Sequence, residues 1–184
     1  MKRTFASLMM IAALLGVAAA GFHTVRAANH ASDVITDQQI TAIRTRCSDI
    51  QATLNRVHES DKVLRVNKGY HYKAVILDKL MTPLNQRIAA NQIDGGRLVA
   101  IAAEYSRAFG TFDAAYSSYE RDLSAAIRID CTKQPTAFYD QLRLAYDGRK
   151  AVSKADAKLI ELSKEFEVEA KKVLGQIDTA KEIE

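Results

Sequence analysis

The chain has 184 residues, with 26 Lys+Arg against 22 Asp+Glu, seven Tyr, two Pro, two Cys and no Trp. Lys2, Arg3 and Arg26 fall in an N-terminal stretch that holds no acid, so the remainder is nearly balanced in charge. The basic excess is therefore no sign of nucleic acid, and no nucleic-acid partner is expected.

Taken in chain order, the N-terminus reads as an export signal. Lys2 and Arg3 precede an uncharged run, FASLMMIAALLGVAAAGF over residues 5–22, and Val25-Arg26-Ala27 offers small residues around a cleavage point. Residues 1–27 are expected to be a cleaved signal peptide. An uncleaved anchor is the alternative, because the run is near the length that spans a bilayer. A membrane is expected only through residues 5–22, if they are retained. Residues 28–35 form a flexible lead-in.

The first long helix is predicted to start after Thr36, with Gln39 three residues on as in a capping box. Its seam steps by three and four through Ile40, Ile43, Cys47, Ile50, Leu54, Val57, Asp61 and Leu64, with Asp61 as the one polar interruption. Asn67-Lys68-Gly69 can be read as a turn or as continuing helix. The apolar pattern resumes beyond it at Leu77, Leu80, Leu84 and Ile88, out of phase, as a stutter in one helix would make it. Pro83 should kink this stretch. Asp94-Gly95-Gly96 should end it.

A second helix is expected from Arg97 to about Ile129, on a seam of Leu98, Ile101, Tyr105, Phe109, Phe112, Tyr116, Tyr119 and Leu123. Asp130 to Gln134 makes a short connection, and Pro135 suits the first turn of a third helix. That helix carries Phe138, Leu142, Ala145, Val152, Leu159, Phe166, Val173 and Ile177. Arg149, Asp156 and Ser163 sit between them on the seam, which predicts looser packing. The expected fold is all-α, an elongated antiparallel three-helix, coiled-coil-like bundle over residues 36–184. A four-helix up-down bundle with a break at 67–69 is the alternative.

Cys47 and Cys131 are an even pair in an exported chain, outside any CxxC, and are expected to form one disulfide. A continuous first helix lets the second return toward Cys47, although the two levels differ by roughly 15 Å at 1.5 Å per residue. A break at 67–69 would leave the cysteines farther apart, so the continuous helix is favoured.

The segments LRVNKGYHY, MTPLNQRIA, IDGGRLVA and DCTKQPTAFYD, with Arg46-Cys47 before them, resemble a group of uncharacterised exported helical proteins from Saccharibacteria and related ultrasmall bacteria. The resemblance covers most of residues 46–140. It implies export and a helical architecture, and it brings no activity or site residue.

No HExxH, phosphate-binding glycine loop, GxSxG or EF-hand loop is present in the chain. His58 and Asp61 lie three apart on one helix face, and a polar pair at a bundle seam is favoured over a metal site. The Tyr105-to-Tyr119 aromatic stripe follows the helical repeat itself, as core packing does. Arg65, Lys68, Tyr70, His71, Tyr72 and Lys73 interleave base and aromatic, and they are singled out as a contact patch. No catalytic, cofactor-binding or metal-binding residue is assigned, and no cofactor is expected. The functional expectation is a non-enzymatic interaction or scaffolding protein, secreted or at the cell surface, with a protein partner. An exported holdase-like chaperone is the alternative, and a ligand- or cofactor-binding bundle comes third.

Overall fold

A computed structural model of the chain describes residues 35–181, with side-chain surroundings to residue 175. Residues 1–27, read above as a signal peptide, and nearly all of the 28–35 lead-in lie outside that description, as do the side-chain surroundings of Ile177. Five α-helices and one π-helical stretch make up the described chain, and no strand occurs among its residues. They are α1 (Asp37–Thr45), α2 (Cys47–Tyr70), the π segment (His71–Met81), α3 (Thr82–Ala90), α4 (Gly96–Arg128) and α5 (Pro135–Lys181).

The capping box forms as the sequence predicts. Thr36 Oγ1 accepts from the Gln39 amide at 3.3 Å, and Gln39 Oε1 accepts from the Thr36 amide at 2.8 Å. One break was not expected. Arg46 leaves helical geometry at φ −111° and ψ 16°, so α1 ends at Thr45, two residues before Cys47.

From Cys47 to Ala90 the chain stays helical without a turn, and Asn67-Lys68-Gly69 passes straight through it. The phase slip in the sequence is met by a widened helix. Over His71–Met81 the backbone makes π-type bonds, and the Thr82 amide donates to Leu77 O, five residues back. Tyr72 and Leu77, five apart, thereby reach the same core, followed by Met81 and Ile88. Leu64 and Leu80, expected on the seam, are turned to solvent at 42% and 52% exposure. Pro83 follows the π segment directly, at the start of α3. The wider ladder ends where its missing N–H would have been needed.

The end of this helix lies earlier than the expected Asp94-Gly95-Gly96 stop. Ile93 N–H reaches Ile88 O and Gln92 N–H reaches Ala89 O, both at 3.1 Å, with Gln92 at φ 57°. This is a Schellman closure carried by a non-glycine residue. Gly95 serves packing instead, because a Cβ there would lie 2.5 Å from Ile88 Cγ2.

The antiparallel α4–α5 hairpin is the principal packing unit, and the 47–90 helix lies along it. Leu98, Ile101, Tyr105, Phe112, Tyr116, Tyr119 and Leu123 from α4 meet Phe138, Ala145, Leu159, Leu162, Phe166 and Val173 from α5. Gly148 permits a close approach of the two helices. A Cβ there would lie 3.2 Å from Tyr119 Cα, which explains a glycine inside a long helix that it weakens by about 1 kcal/mol.

Candidate interaction surface

The underside of α2 is polar where a simple heptad would be apolar, and each polar group has an answering group on the hairpin. Gln51 Nε2 donates to Ile127 O and Ile129 O at 3.2 and 2.9 Å, satisfying carbonyls at the end of α4. His58 Nε2 lies 3.0 Å from Ser124 Oγ. Asp61, 5% exposed, accepts from Tyr119 Oη at 2.5 Å and lies 3.3 Å from Arg149 Nη1. Tyr116 Oη donates to Asp61 O at 2.7 Å. Arg65 binds Glu120, Asp113 and Ser117. Lys68 Nζ and Tyr72 Oη converge on Asp156, at 2.6 and 2.7 Å. Arg149 and Asp156, which predicted looser packing for the third helix, are the groups that tie it to α2.

Between these rungs runs an aromatic ladder, Tyr72–Phe112–Tyr116–Tyr119, edge to face with centroids 5.5 to 6.0 Å apart. Burial pushes the Tyr72, Tyr116 and Tyr119 hydroxyls well above their ordinary range. The carboxylate of Asp156 beside Tyr72, and that of Asp61 beside the other two, add to the effect. Tyr105 is pushed up to about 12 by burial, against a smaller opposite effect of the Ser163 hydroxyl. The Tyr105 hydroxyl meets no hydrogen-bond partner, and the nearby Ser163 hydroxyl donates to Leu159 O.

The far end of α2 is closed covalently. Cys47 and Cys131 are joined, with Cα atoms 5.5 Å apart and a separation of 84 positions in sequence. Asp130 shapes the connection by accepting from the Thr132 and Lys133 amides, both at 3.1 Å. The backbone of Ile129 is extended, which carries Cys131 past the end of α4 and makes up part of the expected level mismatch. The disulfide is consistent with an oxidising, extracytoplasmic compartment. Among the described residues no helix is long and apolar enough to cross a membrane, and no cluster of His, Cys, Asp or Glu could hold a metal ion.

The six residues singled out as a contact patch do not share one face. Arg65, Lys68 and Tyr72 point into the bundle as described above, and Tyr72 is 6% exposed. Tyr70, His71 and Lys73 point outward, with Lys73 paired to Asp78 at 2.7 Å. His58 and Asp61 do not act as a pair, because each has its own partner on α4. Other outward groups carry no charge. Val63, Val66 and Tyr70 on α2, and Leu144, Tyr146 and Val168 on α5, are each more than half exposed. A shallow groove between α3 and α4 is lined by Leu77, Asp78, Thr82, Asn85, Val99 and Ala102.

No protein family, curated protein or solved structure matches this chain. Its own residues therefore carry the functional argument.

Proposed function

We propose that this chain is a non-enzymatic, extracytoplasmic interaction or scaffolding protein, secreted or held at the cell surface. The observation that carries the reading is where its polar and apolar groups are spent. Its inward-facing ionic groups pair with each other across the helices, while large apolar side chains stand exposed on outward faces. Apolar groups presented on a braced helical rod are a docking surface for a protein partner. Tyr146 on α5, with Lys150 one turn on and its ammonium 4.2 Å from the ring centroid, is the contact we assign to that partner. Kinship with the exported helical proteins of Saccharibacteria and related bacteria remains part of the proposal, and it rests on the segments quoted above.

A photo-activatable residue at Tyr146, in protein returned to its native cell envelope, tests this reading. It should label one recurrent protein, and Lys150→Glu should remove the label without changing helicity. Labelling that is unselective and unaffected by Lys150→Glu would contradict it. The holdase-like alternative draws on a different observation, the polar and hence separable contact between α2 and the aromatic ladder. Suppression of aggregation of unrelated unfolded clients would favour it.

A further inference from the structure

The outward face of α2 carries an apolar stripe that nothing inside the bundle requires. Val63, Val66 and Tyr70 are 61%, 70% and 59% exposed, and steps of three and four put them on one stripe. That stripe lies on the opposite side of the helix from Asp61, Lys68 and Tyr72. We propose that it is an interface between two copies of this chain, with the two α2 helices antiparallel about a two-fold axis beside Val66.

Charge selects the occupant and its direction. In an antiparallel pair centred there, Val66 meets Val66 of the second copy and Val63 meets Tyr70. One turn outward, Glu59 comes level with Lys73, and beyond them Arg56 comes level with Asp78. Both flanking contacts join opposite charges, and the two-fold axis repeats each of them. A parallel pair would set Glu59 against Glu59 and Lys73 against Lys73, which costs free energy. The present partners of these groups are exposed neighbours on the same helix, Lys62 with Glu59 at 2.8 Å and Lys73 with Asp78 at 2.7 Å. Exposed pairs of that kind contribute little and give way readily to a new partner. Three apolar side chains from each copy make a small interface, so association is in the micromolar rather than the nanomolar range. The inference concerns self-association and does not depend on the partner contact assigned to α5.

Sedimentation velocity of the purified full-length chain over a concentration series tests it, together with cysteine cross-linking. The wild type should form a dimer. Val66→Asp should weaken that dimer at least ten-fold with helicity unchanged. Glu59→Lys should weaken it too, and adding Lys73→Glu should restore it. Under mild oxidation Val66→Cys should link copy to copy far faster than Leu144→Cys, which lies on α5. A chain that stays monomeric overturns the proposal. So does a dimer indifferent to Val66→Asp, or equal cross-linking by the two cysteine variants.

Discussion

At the scale of single residues, two buried tyrosines with the same side chain are worth very different amounts. Tyr119 donates to a buried carboxylate, an interaction of about 2 kcal/mol, whereas the Tyr105 hydroxyl is buried without a partner. Tyr119→Phe should therefore cost about 2 kcal/mol, while Tyr105→Phe should be neutral or mildly stabilising. Urea denaturation of the two variants separates them, and an equal loss would remove the argument. The same groups set the response to alkali. Tyr72, Tyr105, Tyr116 and Tyr119 hold their protons in the folded state above the ordinary value of 10. Their contribution to stability is complete below about pH 10 and declines above it, because the unfolded chain loses protons that the folded chain keeps. The urea midpoint should fall steeply between about pH 10 and 12, and tyrosinate absorbance should complete its rise only as helicity is lost. Full ionisation near pH 10 with the fold intact would contradict the burial described here.

At the scale of elements, the continuity of the 47–90 helix is the main point. Gly69 has open space around it and a helical neighbourhood, so Gly69→Ala should stabilise by about 1 kcal/mol. A turn at that position would make the same change destabilising. Gly95→Ala should cost about 1–3 kcal/mol, because its Cβ would strike Ile88, and chemical denaturation measures both. Much of this level was legible beforehand. The Thr36 cap, Pro135 at a helix start, the α4 seam and the cysteine pairing all rest on local chemistry or on a regular repeat. The inward turn of Met81 was not legible, since a 3.6 repeat continued from Asp61 puts it outside and only the π segment brings it in. The Gln92 closure was missed because glutamine carries no left-handed signal, while two glycines lay just beyond it. Asp61 was visible as an interruption of the heptad. Its answer in Tyr119 and Arg149 depends on the close approach at Gly148, which no local pattern announces.

At the scale of the whole molecule, the apolar α4–α5 hairpin is the fixed body, and the 47–90 helix is a brace held by polar rungs and one disulfide. The crosslink alone is worth about 4 kcal/mol by the loop it closes in the unfolded chain. A brace of this kind can stay shut and present outward faces, as a scaffold requires, or lift and expose the aromatic ladder, as a holdase requires. Hydrogen exchange of the oxidised protein, alone and with the partner cross-linked at Tyr146, distinguishes the two directly. The account predicts slow exchange through 47–90 in both states, with added protection around Tyr146 and Lys150 when the partner is present. Fast exchange across 47–90 on binding would contradict it.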